Sequence, residues 1–309
     1  MKVHLGVKSD PIESRYSFEW LFDIMQGLGV HRLQMGTTYH TYSADDSYFR
    51  QLRTSAEKRE IRISSLFSSR RELVGFATGD SALEAATRRG WERLIRVASL
   101  VGADTAGSNA LVVMRDQPHL REPGIRCFIE NMKGLLRTAR AAGLSSLTIE
   151  PMSSVWEYPS TPDEVRRIAT ELDPFLAANP ESTVPLLLCG DISHGVADAD
   201  GKVVHDNWSL FELEIPWMWE FHFKNTDAIF DATFGFGPEE RTRGIVDLSR
   251  LKQLIDRNAG RFPTEAVTGY LELSGPKVGR EYSDPQLERM LVQSLEALKA
   301  VFDGEETHS

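Results

Sequence analysis

Glu150, Asp191, His222 and Glu272 each close a short apolar run of strand type. The runs are Ser146-Leu147-Thr148-Ile149, Val184-Pro185-Leu186-Leu187-Leu188-Cys189-Gly190, Trp219-Glu220-Phe221 and Gly269-Tyr270-Leu271. A charge at the end of a buried strand is costly unless something pairs with it. Three carboxylates and one imidazole make a complete oxygen/nitrogen ligand set for one divalent cation per chain. The set suits Mn²⁺, with Mg²⁺ or Co²⁺ as alternatives, whereas a structural zinc would favour thiolates and several histidines. A cation that holds a ketone and its neighbouring hydroxyl polarises the carbonyl and stabilises the charge left when the adjacent C–H proton departs. The chemistry to expect is proton transfer through a metal-bound enediolate. Either glutamate could keep a free oxygen to take the proton while the other returns it from the opposite direction, which makes Glu150 and Glu272 the candidate acid/base pair. Asp191 and His222 read as pure ligands. Any one of these residues alone would read as a strand-end ion pair, so the argument rests on the four together.

The elements that must position them alternate along the whole chain. Val3–Val7 reads as a first strand, and residues 18–25 have the i, i+3, i+4 spacing of an amphipathic helix ended by Gly27 and Gly29. Strands follow at 31–35, 62–67, 103–108 and 146–149, with helices at 44–60, 81–101 and 125–142, the last closed by Gly143. A helix over 162–178 is expected to start from Thr161 as N-cap. Two further helices are expected, over 249–258 after the strand that ends at His222 and over 285–302 after the strand that ends at Glu272. Eight such alternations without a break in composition predict an α/β fold, a parallel (β/α)8 TIM barrel with outer helices, as a single domain over residues 1–309. A barrel of this kind takes roughly 250 residues as one unit. A doubly wound open sheet would need a Gly-rich first turn, and the sequence after the first strand is Lys8-Ser9-Asp10-Pro11. The longest strand-to-helix segments, 151–160, 191–207 and 224–246, all follow ligand-bearing strands. Barrel active sites are built from those loops.

Composition narrows the partners. A net charge of −10 and few strand-end histidines argue against a nucleic-acid track and against a multinuclear zinc nuclease. No run is apolar enough to enter a membrane, and no basic-then-apolar leader opens the sequence. Cys127 and Cys189 do not indicate a disulfide framework, so a reducing cytoplasm is expected. Trp217-Met218-Trp219 could supply an apolar patch for a homo-oligomer or a second subunit.

Four motifs also carry a family likeness: Ile149-Glu150-Pro151, Gly190-Asp191-Ile192-Ser193-His194, Phe221-His222-Phe223-Lys224-Asn225-Thr226-Asp227 and Leu271-Glu272. The chain resembles the xylose-isomerase-like TIM barrel superfamily, in particular the sugar isomerases and epimerases related to D-tagatose 3-epimerase. The likeness covers nearly the whole chain, with the motifs in the expected order. It implies that Glu150, Asp191, His222 and Glu272 hold the metal, that Glu150 and Glu272 move the protons, and that His194 holds substrate oxygen. The implied activity is isomerisation or epimerisation of a small keto-sugar or sugar derivative. Lys224, Glu157, Asn109 and Arg70 lie at or just beyond strand ends and are further candidates for substrate contact. One departure stands out: the epimerases carry an arginine shortly after the strand-seven histidine, where this chain offers Lys224. Related barrels include lyases, namely decarboxylases of 3-oxo sugar acids and deglycosidase subunits that cleave C-glycosides bearing a 3-keto sugar. The lyase alternative stays open because Lys224, Arg70 or Arg71 could meet a substrate carboxylate.

Overall fold

The computed structural model describes residues 1–12, 15–275 and 284–303. Its central feature is a closed barrel of eight strands: β1 (Lys2–Lys8), β2 (Arg32–Gly36), β3 (Arg62–Ser68), β4 (Thr105–Ser108), β5 (Ser146–Ile149), β6 (Leu186–Asp191), β7 (Met218–Phe223) and β8 (Ala266–Leu271). Each strand neighbours the next in the chain, and β8 closes onto β1 in parallel register, with Val3 opposite Val267 and Val7 opposite Leu271. The expected (β/α)8 TIM barrel is the fold observed.

The chain divides into two compact units, 1–35 with 54–62 and 190–309, and 36–53 with 63–189. In the first, β7 alternates by the period of two that any strand imposes. Phe221 and Phe223 go to one face, where Phe221 meets Phe211 edge-on at 5.5 Å and Phe223 meets Phe302 of the terminal helix Asp284–Phe302 at 5.0 Å. Burying each phenylalanine contributes about 1.5–3 kcal/mol. His222, between them, is left for the other face.

In the second unit, helix Arg121–Ala141 buries Ile125, Phe128, Ile129, Met132, Leu135, Leu136 and Ala139, a stripe at helical spacing. Gly143 follows at φ +83°, a left-handed conformation that glycine takes without a Cβ clash. Close packing inside this part of the barrel depends on Gly107, where a Cβ would sit 2.2 Å from Thr148 Oγ1 and 2.5 Å from Phe67.

Two differences from the expected elements have local causes. The helix expected over 162–178 is two helices, Pro162–Thr170 and Asp173–Ala178, because Pro174 has no N–H to give to a continuing helix and sits in the first turn of a new one. Its predicted start is observed, with Thr161 accepting the backbone N–H of Glu164. Helix Asn207–Glu214, for which no apolar stripe gave a signal, buries Asn207, Trp208, Leu210, Phe211 and Glu214 on several faces at once.

Candidate functional site

The barrel brings the four strand-end residues together. One ligand atom from each of Glu150, Asp191, His222 and Glu272 lies within 4.8 Å of every other. Asp191 is the last residue of β6 and is 2% exposed. Its Oδ1 accepts hydrogen bonds from the backbone N–H and the hydroxyl of Ser193, both at 2.8 Å. Its Oδ2 faces Lys224 Nζ at 2.6 Å and His194 Nε2 at 3.3 Å. Burial pushes the Asp191 carboxyl up, but the charges of His194 and Lys224 and a hydrogen bond from His222 outweigh it and hold the group below the usual carboxylate range.

Glu272 follows β8 directly, its backbone N–H bonded to Phe223 O at 3.0 Å. Oε1 accepts from the fully buried Lys8 Nζ at 2.9 Å, while Oε2 lies 3.0 Å from His222 Nδ1 and 3.5 Å from Lys224 Nζ. Burial again raises its pKa, and Lys224, Lys8 and His222 more than reverse the effect. The His222 ring is fully buried on β7, with Nε2 2.8 Å from Gln34 Oε1. An amide oxygen only accepts, so that contact keeps a proton on Nε2 and turns Nδ1 into the cluster, 3.0 Å from Glu272 Oε2. The carboxylate oxygens there gather positive charge from Lys224, Lys8 and His222. A divalent cation could take that place with Nδ1 as a ligand, and the hard oxygen donors with one imidazole suit Mn²⁺, Mg²⁺ or Co²⁺. The residues therefore fit such an ion.

The fourth carboxylate, Glu150, sits just past β5, buried to 3% exposure, and its Oε2 accepts from Asn109 Nδ2 at 3.2 Å. Asn109 is itself 1% exposed, and its Oδ1 is buried without a hydrogen-bond partner among the described residues. An acceptor held this way suits a hydroxyl donor from a ligand. Further out, a small antiparallel sheet pairs Leu111–Val112 with Glu157–Tyr158 and so fixes Glu157, which is 9% exposed. Arg71 grips Glu157 with two bonds, Nε to Oε1 at 2.6 Å and Nη2 to Oε2 at 3.1 Å. That bond, opposed by partial burial and reinforced by the charges of Glu157 and Glu150, raises the Arg71 pKa.

A family model for the xylose isomerase-like TIM barrel matches residues 22–261. The chain belongs to that family. No curated protein matches it. Among solved structures, a candidate xylose isomerase from Rhodospirillum rubrum superposes with a TM-score of 0.74 at 19% identity, covering 97% of this chain and 99% of that one. A D-psicose 3-epimerase from Clostridium cellulolyticum, solved with D-tagatose, gives 0.69 at 12% identity over 98% and 99%. The 3-keto-D-glucoside 4-epimerase of E. coli gives 0.63 at 11% identity over 96% and 100%. At these identities the likeness is one of fold.

Within this xylose isomerase-like barrel, His194 and Lys224 lie against the acidic group with their nitrogens 3.1 Å apart, and Asn109 lies against Glu150. Glu157 is buried and held by Arg71, and both Arg70 and Arg71 are exposed. Lys8 and Gln34 complete the shell and were not among the residues singled out from sequence. Lys8 ends the apolar run Val3–Val7 and Gln34 interrupts the run His31–Met35, so each is a polar group set against an apolar strand. Among the described residues no helix is long and apolar enough to cross a membrane.

Proposed function

We propose that the protein is a divalent-metal-dependent isomerase or epimerase of a small keto-sugar or sugar derivative, working by proton transfer through an enediolate. The observation that carries this reading is the convergence of three carboxylates and one imidazole within 4.8 Å at the C-terminal ends of barrel strands. A divalent cation held there supplies Lewis acidity, polarising a carbonyl and stabilising the neighbouring negative charge. Glu150 and Glu272 carry the proton away and return it. Gln34 fixes the tautomer of His222, and Ser193 fixes the Asp191 carboxylate. His194, Lys224 and Asn109 Oδ1 bind substrate oxygens, and Glu157, held by Arg71, borders them. Family membership and sugar-converting structural neighbours support a carbohydrate substrate. The two free thiols, Cys127 and Cys189, support a reducing cytoplasmic setting.

Deuterium exchange tests the reading. Metal-loaded enzyme incubated with ketoses in D₂O should wash label into the carbon beside the carbonyl, and elemental analysis should find about one Mn, Co or Mg per chain. An enzyme that holds no such ion and exchanges no label would refute it. The lyase reading is favoured by one observation, the Lys224 ammonium beside the acidic group, which could hold a substrate carboxylate. Its mark would be release of CO₂ or of an aglycone in the same incubation.

A further inference from the structure

The oxygens that a cation would use are the ones that Lys224 already touches. Asp191 Oδ1 is committed to Ser193 and Glu272 Oε1 to Lys8, which leaves Asp191 Oδ2 and Glu272 Oε2 turned into the cluster. Lys224 Nζ lies 2.6 Å from the first and 3.5 Å from the second. Its side chain is only 11% exposed, so the ammonium has little water to turn to. Two cations sharing the same carboxylate oxygens repel strongly in such a setting. A divalent ion on Asp191 and Glu272 would therefore drive the ammonium off those oxygens, and the flexible lysine stem lets it move while staying beside the site. His194 Nε2, 3.1 Å from Nζ, already flanks it and offers a second polar atom at the same point.

From this geometry we infer that Lys224 competes with the metal for Asp191 and Glu272 and that, once displaced, it selects a substrate bearing a carboxylate. The substrate class is then a keto-sugar acid, and the inference rests on the isomerase reading above for the keto-sugar part alone. An ammonium pushed off carboxylate oxygens at a site where its side chain is only 11% exposed gains most from a new anion, which a neutral ketose does not offer. A charge-assisted bond of this kind is worth roughly tenfold or more in affinity.

The experiment has two readouts. Mn²⁺ titration by calorimetry, without any sugar, should give tighter binding in Lys224→Met than in the wild type, and wild-type affinity in Lys224→Arg. Unchanged or weaker Mn²⁺ binding in Lys224→Met overturns the competition. Binding of D-fructose is then compared, on Mn²⁺-loaded protein, with its two carboxylate forms, 2-keto-D-gluconate and D-fructuronate. At least one acid should bind roughly tenfold or more tightly than D-fructose. The preference should vanish in Lys224→Met and survive in Lys224→Arg. Equal binding of all three overturns the substrate class, and if D-fructose still exchanges deuterium the isomerase reading stands without it. An acid preference without deuterium exchange in any sugar would remove the isomerase reading and leave the assignment to Lys224 intact.

Discussion

Gln34 shows how much a single uncharged side chain can decide at this site. Its carbonyl oxygen, 2.8 Å from His222 Nε2, sets which ring nitrogen is open toward Asp191 and Glu272. Replacing Gln34 with Leu should lower Mn²⁺ affinity roughly 10–100-fold with the barrel intact, as loss of such outer partners does elsewhere. Calorimetry with a circular-dichroism control separates the two effects. For Glu150→Gln and Glu272→Gln the expected loss is larger and falls on turnover, about 10²–10⁴-fold in kcat, with little change in melting temperature. A near-normal rate in either variant would contradict the acid/base assignment. The four ligands were legible in the sequence because each is a local event, a charge ending an apolar run. Lys8 and Gln34 leave a similar local mark but find their partners 264 and 188 positions away, and no spacing rule reaches that far. Arg70 and Arg71 could not be told apart by spacing. Arg71 has a positive φ of 62° and bonds Glu157, and neither the backbone angle nor the partner is written in the order of residues.

At the scale of elements, β4 is the strand with the least side chain to spare. Its sequence, Thr105-Ala106-Gly107-Ser108, was a weak small-residue signal, and the structure gives the reason. Thr148 of β5 and Phe67 of β3 fill the space over Gly107, so small residues are what lets these strands approach. Gly107→Ala should destabilise the protein by about 1–3 kcal/mol, the usual effect of overpacking a filled core, and chemical denaturation would measure it. A second element-scale device joins helix Asp46–Glu57 to helix Ser81–Val101. Asp46 receives Arg96, and Arg93 Nη1 at 3.1 Å. The hydrogen bond from Arg96 leads the causes that lower the Asp46 carboxyl to about 2. A group whose folded pKa is depressed stabilises above its unfolded value and loses that contribution as pH falls toward the folded one. Wild type and Asp46→Asn should therefore differ in stability at neutral pH and converge between about pH 4 and pH 2. A gap that persisted at pH 2 would point to packing rather than charge.

For the whole molecule, the rhythm of eight strand-and-helix alternations carried the fold, because burial of both sheet faces repeats the same constraint at every step. What periodicity could not convey was the content of the loops, where the short strand pairs and helix Pro238–Arg243 lie. The short strands there pair with one another rather than with the repeating barrel. The ligand cluster ties metal binding to the stability of the whole chain in turn. A cation that binds the folded protein and not the unfolded one adds stability by mass action, about 2.7 kcal/mol when its free concentration is 100 times its dissociation constant. For a chain of 309 residues this corresponds to a rise of roughly 5 °C in melting temperature. Differential scanning calorimetry of chelator-treated protein, titrated with Mn²⁺, should show the midpoint climbing with the logarithm of the metal concentration. The climb should flatten in Asp191→Asn, which keeps the Oδ1 contact to Ser193 and removes the charge that the cation answers. A midpoint indifferent to Mn²⁺ in the wild type would mean that the four strand ends hold one another through Lys8, Lys224 and His222 alone.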